Sequence, residues 1–198
     1  MGALGPLGKV AGRRWRWAAQ VGLYTLAGSL SSAPVGLLLG AIGQALGAGT
    51  HPFWSVVGAV WLLALLMRSM GRWRFPLPQW RRQTRDLWAK VFPAEVAAVL
   101  WGLDLGLAFT TWITFTGYWG PVGIAFLLGQ PARGAGLFLT YWWGRAALVW
   151  ASPQLFPGPM ATPTVMDALA QQRSLFQRLH RLGLGLMILG LVLLETRP

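Results

Sequence analysis

The chain contains no cysteine and no asparagine, and only five acidic residues in 198. Without thiols there is no disulfide, no thiol relay and no thiolate metal site. The two histidines, His51 and His180, lie far apart in the sequence, so metal ligation by that pair is not expected. The acids are few and dispersed, and no glycine-rich phosphate loop follows a strand pattern. An enzyme, a metal site and a bound cofactor are therefore not expected. Charged residues of both signs make up 11 % of the chain, less than half of the roughly one quarter found in soluble domains.

Apolar residues are abundant instead, at 55 %, with a mean hydropathy of +0.49. Apolar runs recur at Trp17–Gly47, Phe53–Met67, Val96–Gly129, Ala135–Ala151 and Leu182–Leu194. A bilayer core takes about 20 apolar residues per helix. The expected fold class is all-α: a polytopic integral membrane helix bundle of about five spans, six if one long run folds into a hairpin. The N-terminus has basic residues and an apolar run like a signal peptide, but Pro34 directly after Ser31-Ser32-Ala33 opposes cleavage, so an uncleaved first span is expected.

The net charge of +12 is concentrated at span ends. Lys9, Arg13, Arg14 and Arg16 precede the first run. Arg68, Arg72, Arg74, Arg81, Arg82, Arg85 and Lys90 fill one connection, and Arg173, Arg178 and Arg181 precede the last run. This is the distribution that orients membrane proteins. It predicts a multi-pass protein of the cytoplasmic membrane with its N-terminus and Arg68–Lys90 in the cytoplasm and Gly49–Phe53 outside. The partner it implies is the lipid bilayer, with room for a membrane or extracytoplasmic protein partner, and no nucleic acid. Oligomeric state is not legible.

One phrase occurs twice. "PVGLLLG" begins at Pro34 and "PVGIAFLLG" at Pro121, each after a serine- or threonine-rich tract. The two runs that hold it are too long to cross straight: 34 residues make a helix of about 50 Å, against a hydrocarbon core of about 30 Å. Two long broken helices related by an internal repeat are expected. The chain then reads as one membrane domain over 1–198: a first repeat unit at 17–67, a basic cytoplasmic connection at 68–93, a second repeat unit at 94–152, and a loop with a final helix at 153–198. A short amphipathic helix is expected between Pro78 and Pro93, and a capping box at Thr164 and Asp167. Interrupted helices at matching places point to a pathway near the midplane. Its candidates are Ser31, Ser32, Pro34, Gly36, Thr114, Thr116, Gly117, Pro121 and Gly123. Purely structural kinks are the competing reading, because Pro, Gly, Ser and Thr also serve tight packing in membranes.

Asp104 and Arg145 are the two charges inside apolar runs, both near mid-depth. An ionised group there costs a few kcal/mol, so a mutual pair is expected.

"YTLAGSLSSAPVGLLLGAIGQAL", together with "LGLAFTTWITFTGYWGPVGIAFLLG" and "GLFLTYWWGRAALVW", resembles parts of the CcdA/DsbD transmembrane family. The resemblance covers under half of the chain. It implies a scaffold with two broken helices and a setting in cytochrome c biogenesis or membrane redox maintenance. That family passes reducing equivalents through one cysteine in each broken helix. With no cysteine here the relay cannot run, and no catalytic residue carries over. Three functions stay open: a non-redox relative that moves a small solute or ion or acts as an accessory component, an unrelated small transporter with a proton- or cation-responsive Asp104, and a structural membrane subunit.

Overall fold

The computed structural model describes residues 14–77, 87–107, 110, 116–155 and 173–195. Among the described residues there are seven α-helices and no strand: α1 (Arg14–Ala45), α2 (Pro52–Ser69), α3 (Leu87–Val91), α4 (Ala94–Leu107), α5 (Trp119–Leu127), α6 (Pro131–Leu155) and α7 (Arg173–Glu195). A 3-10 turn, Thr116–Tyr118, leads into α5. The basic connection contributes α3, but residues 78–86 and the Thr164–Asp167 box lie outside the described residues.

Helix ends follow local chemistry. Gly47 has φ 67° and closes α1 with a paired turn, in which Ala48 N–H donates to Gly43 O at 2.8 Å and Gly47 N–H to Gln44 O at 3.1 Å. Only a residue at ease in the left-handed region ends a helix this way without strain. Gly71, φ 76°, repeats the arrangement after α2. Pro52 and Pro131 open α2 and α6, where the missing N–H of proline has no intrahelical partner to lose.

The two long runs differ. The first is one helix, α1, continuous through Pro34, which corrects the expected break there. Proline removes one backbone bond, the one to Leu30 O, and clashes one turn back, a local deficit that α1 carries without ending. Thr25, Ser29, Ser31 and Ser32 donate to other carbonyls three or four residues earlier in α1. The second run is discontinuous, as expected, with Gly117 in the 3-10 turn that precedes α5. α4 stops at Leu107, Thr110 lies in a turn, and helix resumes at Trp119. Pro121 falls in the first turn of α5, a position proline tolerates. Helices of 14 and 9 residues reach about 21 and 14 Å, so neither alone crosses a 30 Å core.

By length and composition α1 (over Trp15–Ala45) and α2 are able to cross a membrane. Only 39 % and 17 % of their most apolar windows are buried, whereas the core helix of a soluble protein is mostly buried. Leu26, Leu30, Leu38, Phe53, Val56 and Val60 all point outward with more than half of their surface exposed.

The residues group into two compact units, each drawing on α1 and α6. The first takes α1 up to Ser32, α3, α4 and α6 from Leu139 onward. At its centre Trp142 is 1 % exposed. Its ring meets Tyr24 at 5.0 Å, and its Nε1–H donates to Thr25 O at 2.8 Å. Ala98, Trp101 and Ala146 complete that core. α4 lies directly against α1: a methyl on Gly102 would come 2.8 Å from Ala27 Cβ, and one on Gly106 would come 2.8 Å from Gly28 Cα.

The second unit takes α1 from Ala33, α2, the 3-10 turn, α5, α6 up to Phe138, and α7. Here backbone meets backbone. A methyl on Gly36 would come 2.6 Å from Gly134 C, and one on Gly40 would come 2.5 Å from Gln130 O. Trp61 Nε1–H donates to Trp119 O at 2.9 Å, which ties α2 to the first turn of α5. Arg181 of α7 donates to Ser69 O at 3.1 Å, at the C-terminal end of α2.

Candidate functional site where α4 ends

The last described turn of α4, Asp104–Leu107, lies within an otherwise apolar run. Two of its carbonyls accept hydrogen bonds from side chains outside the helix. Thr110 Oγ1–H donates to Asp104 O at 2.8 Å. Arg145, reaching in from α6, donates to Leu105 O at 3.4 Å. A cation is favoured here, because the C-terminal end of a helix carries partial negative charge.

Arg145 has further partners on its own helix. It shares a side-chain hydrogen bond with Tyr141, one turn earlier. Its guanidinium lies 5.9 Å from the centroid of the Trp142 ring, within range of an attraction to the ring face. Tyr24, from α1, also lies within its electrostatic reach. The Asp104 side chain is buried, at 7 % exposure. The guanidinium therefore reaches the peptide next to Asp104 in the same compact unit. Charged, hydroxyl-bearing and aromatic side chains from α1, α4, α6 and Thr110 thus gather around the last described turn of α4.

The remaining sequence candidates divide between the two units. Ser31 and Ser32 are buried in the first unit, with their hydroxyls turned to Gly28 O and Ser29 O. Pro34, Gly36, Gly117, Pro121 and Gly123 belong to the second. Pro34 is exposed and Pro121 fully buried. Gly36 serves contact with Gly134, Gly117 makes room for the His180 ring, and Gly123 for Trp61. Thr116 opens the 3-10 turn, with its side chain outside the description, and Thr114 lies outside the described residues. Close packing is thus served by Gly36, Gly117 and Gly123.

Sequence reasoning did not single out Tyr24, Tyr141 or Trp142. The spacing of Tyr141 and Arg145, four apart on one helix face, was the available signal for one of them. Nothing in the sequence ties Gly117 to His180. His180 precedes the apolar run of α7, and burial, with Arg181 beside it, holds its imidazole below the usual value. Among the described residues no three His, Asp or Glu side chains come together as a metal cluster. Compared with known proteins, the chain matches no family model, no curated protein and no solved structure.

Proposed function

We propose that this is a multi-pass protein of the cytoplasmic membrane in which the end of α4, with Asp104 and Arg145, carries a polar site for moving a small solute or ion. The observation that carries the reading is the pairing of an outward apolar surface with a buried acid at a helix end inside an apolar run. Such residues at membrane depth mark ion paths and proton relays more often than ornament. Asp104 and Arg145 act as a charge pair, with Arg145 also held by Leu105 O. The N-terminus is cytoplasmic. The bond from Arg181 to Ser69 O supports this, because it draws two arginine-rich helix ends, those of α2 and α7, to one level. On a scaffold like that of the CcdA/DsbD family, the absence of cysteine makes the role non-redox, as a carrier or an accessory component beside a membrane or extracytoplasmic partner.

A structural membrane subunit is the second reading, favoured by the backbone contacts of Gly36 and Gly40. Substitution separates the two. Removing one partner of a buried pair costs about 3–5 kcal/mol, so Asp104→Ala and Arg145→Ala each reduce the folded yield, and the double variant regains it. In proteoliposomes with an entrapped pH dye and imposed sodium or potassium gradients, the refolded double variant loses flux. Unchanged flux in that variant would refute the transport reading.

A further inference from the structure

We propose that the joined ends of α2 and α7 form a binding site for the phosphate headgroup of an anionic phospholipid. This rests on the membrane reading above. The second unit holds a single acid, Glu195, at the last residue of α7. Near the other end of that helix, and around the end of α2, stand Arg68, Arg72, Arg74, Arg178 and Arg181. Fourteen residues separate Arg181 from Glu195, about 21 Å along a helix. Exposed charges are screened beyond about 8 Å at physiological ionic strength, so no acid of this unit neutralises the cluster.

Two of the arginines give the surface its shape. Arg181 Nη2–H donates to Ser69 O at 3.1 Å and pins α7 to the end of α2. Arg68 donates through Nη1 to Phe75 O, and its guanidinium lies 5.1 Å from the centroid of the Phe75 ring. The Phe75 ring also meets that of Trp61 at 6.3 Å, and Trp61 lies about two turns before Arg68 on α2. The chain beyond α2 therefore turns back on the helix it leaves. Arg72, Trp73 and Arg74 are held in a closed loop beside the end of an apolar span. Arg68 and Arg181 both bind main-chain carbonyls, which are neutral, so they order this surface without cancelling its charge.

The remaining side chains fit a lipid headgroup. Arg72, Arg74 and Arg178 are exposed. Arg178 precedes Arg181 by one turn and Arg72 follows Ser69 by three residues, so the bond from Arg181 to Ser69 O brings them to one level. Guanidinium forks match phosphate oxygens in pairs. A basic cluster between membrane helices on the cytoplasmic side is suited to anionic headgroups. Orientation of a span asks only for charge at its end, not for a loop folded back and fixed. Apolar surface beside the charge favours lipid over free phosphate or nucleic acid. Trp73, between the two loop arginines, is 53 % exposed, and an indole ring is at home at headgroup depth. On α7 the surface neighbours of Arg178, three before and four after it, are Leu175 and Leu182, both exposed.

Arg72→Gln, Arg74→Gln and Arg178→Gln each remove one exposed charge and leave the bonds of Arg68 and Arg181 in place. Arg133→Gln is the charge-matched control. Arg133 is exposed at the start of α6, next to the contact of Gly129 with Gly49 and so at the opposite end of α2. The full chain in neutral detergent is titrated with dioleoylphosphatidylglycerol, and bound lipid is counted by native mass spectrometry. One saturable molecule per chain is expected. An arginine beside an anionic headgroup is worth about fivefold in affinity, so each of the first three variants should bind about fivefold more weakly and Arg133→Gln should bind as the parent does. Equal binding of dioleoylphosphatidylcholine would overturn the site, as would an equal loss in Arg133→Gln. Displacement of the lipid by inorganic phosphate or a single-stranded oligonucleotide at the same concentration would overturn it too. Alkaline carbonate extraction of native membranes reads insertion separately. Release of the chain sinks the membrane reading, while retention without selective lipid binding sinks the headgroup site alone.

Discussion

Gly40→Ala places one methyl group where two backbones touch. The new carbon would come 2.5 Å from Gln130 O, 2.8 Å from Gln130 C and 2.9 Å from Pro131 Cα. All three atoms are backbone, so no rotamer change relieves the overlap. An ordinary carbon–oxygen contact needs about 3.3 Å, so α1 and the start of α6 must part by almost an ångström. Overpacking of this kind costs about 1–3 kcal/mol, and the rigidity of both sides puts Gly40→Ala near the upper end. For a chain of this size each kcal/mol moves the midpoint by about 2–4 °C, which predicts a drop of roughly 6–12 °C in thermal unfolding in detergent followed by tryptophan fluorescence. Gly144→Ala is the matched control, because a methyl there meets nothing within 4 Å and alanine has the better helix propensity. Its midpoint should hold or rise. If both variants shift alike, the close contact of α1 with α6 in the second unit is not a source of stability and the reasoning fails.

Trp142→Phe removes the donor to Thr25 O, which keeps Ser29 Oγ as a donor. The lost bond at about 1 kcal/mol and the void left by the smaller ring together predict about 2–3 kcal/mol of destabilisation in denaturant titration. His180 favours its neutral form in the fold. Stability is then fully present above the ordinary imidazole pKa of about 6.5 and falls as the pH drops through that value and below it. His180→Gln should flatten the dependence, and an unchanged slope would show that another group titrates. Thr50→Cys should react with an impermeant maleimide on intact cells and Gln83→Cys should not. The reverse pattern would invert the proposed orientation.

The helical class was legible because apolar runs of span length leave little alternative, and the turn at Gly47–His51 was legible from its glycines and the following proline. Asp104 and Arg145 stood out because a charge in an apolar run has few reasons to be there. Proline misled in a specific way. Pro34 was read as a break, yet one lost hydrogen bond is a local deficit, and α1 keeps its helix on both sides of it. The second break was expected near Gly117 and Pro121; the 3-10 turn over Thr116–Tyr118 lies there, and Pro121 itself sits in the first turn of α5, where it costs nothing. The glycine contacts were illegible for another reason. Glycine leaves no hydrophobic period in a sequence, and whether Gly36 meets Gly134 or open space is settled by segments far away in the chain.

That distance sets a timetable for biogenesis. The glycine face of α1 is made early, and its counterpart around Gln130–Gly134 emerges roughly a hundred residues later. At a synthesis rate of about 5–20 residues per second, the first helix waits roughly 5–20 s with its narrow face uncovered. On the proposed membrane reading, lipid or an insertion factor covers that narrow face during the interval. Codon choice or translational pausing between α2 and α6 would lengthen the wait, and should alter the yield of assembled protein without changing a single amino acid.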